Sequence, residues 1–201
     1  MIYKIKLIFH VRDVSKQGMK KNSEGRKTMC KKLKELSGLS SAKILEEYHP
    51  ISDSYAVDMQ MIMRNIGVPV TSFDFSELNQ KHSCNIFGAI ILFGEKLAVF
   101  VSDKCSRAEQ RFILAHELGH CCLHGSTLKE TKIECASDFD SDDEHEHAAD
   151  VFADELLLPE KEFIKVCDKF GAEKKDICLI ADIFCVPTKC VARRLAALDI
   201  D

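Results

Sequence analysis

The chain has no apolar run long enough to cross a membrane. Its longest mainly apolar stretches, Ile86 to Phe93 and Leu97 to Val101, fall far short of the roughly 20 residues that a bilayer-spanning helix needs. The opening MIYKIKLIFHVRD carries lysines and a short apolar stretch, but it lacks the longer apolar core and small-residue cleavage site of a secretory signal. These absences predict a cytoplasmic protein with no membrane partner. Ten cysteines are present without a single CxxC pair, and they are scattered through a chain too large to need disulfide staples. Cys121, Cys122 and Cys185 lie among apolar neighbours, where cysteine acts as a small buried hydrophobe, so reduced structural thiols are expected in preference to a cysteine-ligated metal. Internal repeats and low-complexity tracts are also missing.

The 201 residues, 46% hydrophobic and 30% charged, have the composition of an ordinary globular protein, and the length suits one main domain with its own core. The formal charge of −4 is unevenly spread: residues 1–50 hold 12 Lys+Arg against 5 Asp+Glu, which leaves 16 against 27 for the remainder. A basic N-terminal extension over 1–50, solvated and partly flexible, follows from that asymmetry, with contact to nucleic acid or an acidic partner as the sharper alternative. Residues 16–27, KQGMKKNSEGRK, read as a loop or link.

Met29, Leu33 and Leu36 fall at helical spacing before Gly38, and Tyr48-His49-Pro50 interrupts that pattern. Asp53 or Ser54 can cap a helix through Val57, Met61 and Ile62 that stops at Gly67. Val68 to Phe75 reads as a strand, and Asn85 to Phe93 with Lys96 to Val101 as a hairpin around Gly94-Glu95. Ser106 and Glu109 have the spacing of a capping box and open a helix that Gly125 is placed to end. Ser141 and Glu144 repeat the spacing for a second helix that runs to Leu158, before Pro159. Three further helices are expected: to Phe170 before Gly171, from about Lys174 to Phe184, and from about Thr188 to Leu198.

The first of the capped helices carries His116-Glu117-Leu118-Gly119-His120. Residues four apart on a helix lie about 6 Å along the axis on one face, so His116 and His120 can share one ion. Two imidazoles suit zinc, and Glu117 beside the first of them is placed to take a proton from water as it attacks a carbonyl. A catalytic zinc site needs a third protein ligand, and Glu146 on the second capped helix is the candidate. Asp150, four residues on, can accept a hydrogen bond from a ligand histidine and fix its tautomer.

FILAHELGHCCLHG followed by EHAADVFADELLLP resembles the ImmA/IrrE family of metallopeptidases over about residues 53–160. The resemblance implies that His116, His120 and Glu146 are the zinc ligands and Glu117 the base. Its second motif usually reads E-x-x-A-N-x-F-A-A-x-L-L-M-P, so this chain departs from it with Asp150 in place of asparagine and Asp154 in place of alanine. Asp150 gives an E-x-x-x-D pair like that of thermolysin-like enzymes. The substrate implied is a specific protein, a repressor- or antitoxin-like regulator.

Other histidines compete for the site. His124, on an unbroken helix, stands about 12 Å above His116, out of reach of the same ion. His145 and His147 point about 100° to either side of Glu146. The acidic run from Asp138 lacks the central glycine of a calcium loop. Val99 and its neighbours offer a strand edge that can bind an extended peptide by adding it as another strand. The tail LIADIFCVPTKCVARRLAALDI has the look of a helix-turn-helix, with Lys189, Arg193 and Arg194 as phosphate contacts. Residues 160–201 balance eight basic against eight acidic side chains, so packing or partner recognition is favoured over DNA binding.

The expected fold is α+β: a zincin-like core over residues 51–160 with a small, mainly antiparallel sheet, followed by a helical C-terminal part over 161–201. The expected activity is zinc-dependent hydrolysis of a peptide bond. The competing class is a regulatory protein of the same fold, with little or no catalysis, that binds DNA or a partner protein through its tail.

Overall fold

The computed structural model describes residues 31–49, 54–83, 85–93, 96–125, 133–137, 144–170 and 176–200. The basic arm before residue 31, Asp53, Gly94-Glu95, the acidic run over 138–143 with its Ser141 cap, and Gly171 lie outside them.

In chain order the elements are α1 (Lys31–Leu36), α2 (Ser41–Tyr48), α3 (Met59–Ile66), β1 (Val70–Phe73), α4 (Ser76–His82), β2 (Ile86–Phe93), β3 (Lys96–Ser102), α5 (Arg107–His124), β4 (Ile133–Ser137), α6 (Glu144–Leu157), α7 (Glu160–Phe170), α8 (Ile177–Phe184) and α9 (Thr188–Ala197). The fold is α+β, with a helical C-terminal part. The strands form one sheet in the order β1-β3-β2-β4. β2 runs antiparallel to both β3 and β4, and β1 joins β3 in parallel.

A helix start and a strand edge differ from the sequence reading. The helix expected to start at Asp53 or Ser54 begins at Met59, with Asp58 as its cap accepting from the Met61 amide at 3.0 Å. Ser54 instead accepts from the Ala56 amide, which makes a tight turn ahead of the helix. The later start lets Met59, Ile62, Met63 and Ile66 form the buried stripe and leaves Met61 part-exposed. From Val99 to Val101 the strand is paired on both edges: Val99 pairs with Val70 on one side and Ile90 on the other. Peptide addition at Val99 is therefore excluded, and the outer strands of the sheet are β1 and β4.

Both sheet faces are covered, which explains why β2 and β3 are nearly continuous apolar runs and do not alternate. On one face Ile90, Leu92, Leu97, Val99 and Val101 join the main core with Phe112, Leu114 and Leu118 of α5. On the other, Ala89, Ile91 and Phe100 pack with Phe75 and Leu78. The sequence reading assigns no helix to the polar stretch SELNQKH, yet α4 forms there and its Asn79 side chain brackets Ile86, accepting from its amide at 2.8 Å and donating to its carbonyl at 3.1 Å. β4 is likewise absent from the sequence reading; its pairing partner lies some 40 residues back in the chain.

The main core takes side chains from Leu33, Leu36 and Ile44 at one end of the chain to Val186, Cys190 and Val191 at the other. Ser41 donates to Glu155 at 2.8 Å, tying α2 to α6. Cys121, Cys122, Cys167 and Cys190 are buried free thiols, and burial pushes the Cys122 thiol up to about 12. No helix among the described residues is long and apolar enough to cross a membrane.

The helix that carries the histidines has its predicted start. Ser106 accepts from the Glu109 amide at 3.3 Å, and the Glu109 carboxylate accepts from the Ser106 amide at 2.7 Å. Replacing Ser106 by Ala should cost about 1 kcal/mol, the usual worth of such a cap. Denaturant unfolding of the two proteins checks this.

Candidate metal centre

α5 packs more extensively on α6 than on any other element, and two glycines set the distances at which the site is built. Gly119 lies between the two histidines' turns and faces α6. A Cβ there would sit 3.2 Å from the Ala149 carbonyl oxygen, 3.2 Å from the Phe152 ring and 3.3 Å from the Ala149 Cα. Two of those neighbours are backbone, so an added methyl can be accommodated only by moving α6 away. Gly88 on β2 plays the same part on the other side. A Cβ there would run into the Ile113 side chain and stand 2.9 Å from a Glu117 carboxylate oxygen. The Glu117 carboxylate thus rests against the bare backbone of β2, where the β2–β4 register shifts between Ile86 and Ala89.

His116 and His120 point their rings together, with Nε2 atoms 3.0 Å apart. Glu146 closes the group from α6: its Oε2 lies 3.1 Å from His116 Nε2 and its Oε1 lies 3.4 Å from His120 Nε2. These three side chains are the one group of possible metal-ligating residues that converges among the described residues. His116 and His120 are almost fully buried, at 4% and 3% exposure, whereas the Glu146 side chain retains 26%, so the site opens to solvent on the Glu146 side.

Asp150 lies one turn beyond Glu146, with Oδ1 2.8 Å from His116 Nδ1. A carboxylate can only accept, so His116 carries its proton on Nδ1 and turns the lone pair of Nε2 toward Glu146 and His120. Two nitrogen lone pairs and a carboxylate oxygen meeting at 3.0 to 3.4 Å repel one another unless a cation or proton lies between them. Four-coordinate zinc, with ligands at about 2.0 to 2.1 Å, places its donor atoms about 3.3 Å apart. The donor set fits that ion in chemistry and in spacing.

With a proton as the only cation, burial works against charged His116, but the hydrogen bonds to Asp150 and then Glu146, with the Glu117 charge behind them, outweigh it and raise its pKa to about 9. Burial also disfavours the Glu146 carboxylate, and the two histidines more than reverse this, holding it well below the usual carboxylate range.

The three histidines that compete for the site stay outside the cluster. His124 stacks edge-on against His145 at 4.3 Å between ring centroids, with the His120 ring 5.7 Å away. His147 is exposed on α6.

The tail does not present its basic residues outward. α8 and α9 form the two helices of the expected pair, but Arg193 donates from Nε and Nη2 to Asp154 at 2.6 and 3.0 Å, and Arg194 is 9% exposed and donates to the Leu158 carbonyl at 3.2 Å. Lys189 Nζ stands 5.5 Å over the Phe112 ring. From the other side, Arg111 of α5 donates to the carbonyls of Phe184 and Cys185. Burial pushes the Asp154 carboxyl up despite Arg193, while the Asp154 contact overcomes burial to hold Arg193 more firmly charged. The sequence reading missed Arg193 as a partner of α6. The available signal was Asp154 itself, a carboxylate among apolar positions that needs a cation when buried.

An α+β fold with two histidines one turn apart on a buried helix and a glutamate facing them from the next helix is that of a zincin-like protein. Residues 63–196 match the IrrE N-terminal-like domain, Peptidase_M78, and the chain belongs to that family, which ties it to metallopeptidases and to regulators of the IrrE type. A Mycobacterium tuberculosis transcriptional regulator is similar at 19% identity and a TM-score of 0.45, over 69% of this chain and 39% of that one. This chain therefore spans well under half of that protein, and a likeness so distant bears on neither mechanism nor substrate. No curated protein matches the chain.

Gly119→Ala should separate α5 from α6 and with them His120 from Glu146. The helix-propensity gain of about 1 kcal/mol is outweighed by overpacking, which costs about 1 to 3 kcal/mol. The expected result is a lower melting temperature together with weaker zinc binding, measured by chelator competition. Unchanged zinc affinity would show that the close approach of the helices does not set the site.

Proposed function

We propose that this chain is a zinc-dependent endopeptidase that cuts a specific protein, a repressor- or antitoxin-like regulator. The observation that carries the reading is the convergence of His116, His120 and Glu146, with Glu117 on the same helix. When bound, zinc would supply Lewis acidity to a scissile carbonyl and make water a stronger nucleophile at neutral pH. The protein's own groups do the rest. His116 and His120 would hold the ion with neutral Nε2 atoms, and Glu146 would bring one negative charge to it. Asp150 fixes the His116 ring and its tautomer through the 2.8 Å contact at Nδ1. Glu117, fully buried against β2, would take the proton from the attacking water and pass it to the leaving amine. The bare backbone at Gly88 leaves that carboxylate the room it occupies.

The other reading is a regulatory protein of the same fold that acts through its tail. The internal contacts of Lys189, Arg193 and Arg194 weigh against DNA binding by those residues, since each is already engaged with the body of the protein. Elemental analysis of protein purified without chelator should find about one zinc per chain, and none after Glu146→Ala. If wild type holds no zinc, the proposed site is wrong. If it holds zinc but cleaves no repressor- or antitoxin-like protein, the regulatory reading prevails.

A further inference from the structure

We propose that Arg193, on the C-terminal helix α9, is a positioning residue for the metal site, holding Asp150 against His116. The inference rests on the zinc reading above and assigns a part in it to the tail.

Asp150 and Asp154 lie four apart on α6 and so share a face, a spacing at which like charges repel. Both are largely buried, with side-chain exposures of 14% and 6%. Arg193 enters from α9 and meets both. Its Nε and Nη2 take the two oxygens of Asp154 at 2.6 and 3.0 Å, a two-point contact that fixes the plane of the guanidinium. Its remaining nitrogen, Nη1, is thereby aimed at Asp150, 3.3 Å from Oδ2. The other Asp150 oxygen, Oδ1, accepts from His116 Nδ1. Phe112 backs the arrangement, with its ring centroid 5.3 Å from the guanidinium carbon and 6.0 Å from the His116 ring.

An arginine that served only to pin α9 onto α6 needs one carboxylate. Here the guanidinium spans two, and the second is the residue that orients the histidine. Asp154 acts as the anchor that sets the angle of Arg193. Arg193 offsets the repulsion between the carboxylates and fixes the Asp150 rotamer. Asp150 carries that orientation to the imidazole. Docking of the tail and affinity for the ion are then coupled through three side chains.

Arg194 supplies the control, because it anchors the same helix through the Leu158 carbonyl and makes no contact with this series. Zinc affinity by chelator competition, and the visible absorption of the cobalt-substituted protein, would be measured for wild type, Arg193→Met, Asp150→Asn, the double variant and Arg194→Met. Arg193→Met is expected to weaken zinc binding by about tenfold, the lower end of what loss of an outer-shell partner costs, and to shift the cobalt bands. In the Asp150→Asn background the same change should add less than about twofold, since the connection is already cut. Arg194→Met should leave zinc affinity within about twofold of wild type, whatever it does to melting.

Equal losses from Arg193→Met with and without Asp150, or equal losses from the two arginine variants, would overturn the proposal and leave Arg193 a purely structural anchor. Should Arg193→Met not fold, Arg193→Lys keeps the charge and loses the fork, and the same comparison with Asp150→Asn decides. Wild type that binds no zinc would overturn the metal site itself, a result distinct from zinc binding that ignores Arg193.

Discussion

Glu117→Gln is expected to keep its zinc and its fold while losing cleavage by about 10² to 10⁴-fold, the range that a positioned general base contributes. The substitution preserves shape and removes only the ability to accept a proton. Glu117 is outside the converging ligand group, so the ion has no reason to leave. Its carboxylate is fully buried against Gly88, and removing a buried charge relieves a desolvation cost, so stability should hold or rise. Cleavage rate on a partner protein, zinc content and melting temperature, taken together, give the answer. A Gln variant as active as wild type would remove Glu117 from the chemistry, and one that lost zinc would make it part of the coordination.

Zinc binding should also depend steeply on pH. Without the ion, His116 holds a second proton, on Nε2, up to about pH 9, because Asp150, Glu146 and Glu117 favour its charged form against the opposing effect of burial. Coordination needs that nitrogen neutral, so below this point binding must expel a proton. Apparent affinity should rise about tenfold per pH unit between 7 and 9 and then level off, close to a hundredfold in all. Calorimetric titration in buffers of different ionisation enthalpy measures the proton directly, and binding without proton release at pH 7 would refute the protonated network. The stability of the metal-free protein moves in the opposite direction. A histidine whose pKa is raised on folding stabilises the metal-free protein fully below its ordinary value of 6.5 and ceases to do so as pH rises through about 9. Metal-free protein should therefore lose stability over that interval, and zinc-loaded protein should not, since the ion has replaced the proton.

The features legible in the sequence are the local ones. The capping box at Ser106, the four-residue spacing of His116 and His120, and the same spacing of Glu146 and Asp150 are set within one or two helical turns, and each has its structural counterpart. What required the three-dimensional structure depends on distant partners. The approach of α5 to α6 rests on Gly119, whose role is invisible until Ala149 and Phe152 are placed opposite it. β4 is a strand because β2 offers it a ladder, and α4 is a helix over a polar sequence because Phe75 and Leu78 cap one face of the sheet. β3 looked like an edge from chain order, but the parallel addition of β1 makes it interior. Local charge offers Arg193 as a phosphate contact and the charge balance of the tail favours packing, but neither names its partners, which are carboxylates some 40 residues earlier on another helix. Local spacing brings the candidate ligands onto shared helix faces, and long-range packing determines which groups surround them.

The proposed metal site holds one zinc ion between His116, His120 and Glu146. Crystals of zinc-loaded protein, with diffraction recorded on either side of the zinc absorption edge, test it most directly. A single anomalous peak is expected about 2.0 to 2.1 Å from both Nε2 atoms and about 2.0 to 2.2 Å from a Glu146 oxygen. Zinc bound elsewhere, or a peak about 2.3 Å from cysteine sulfur, would contradict it.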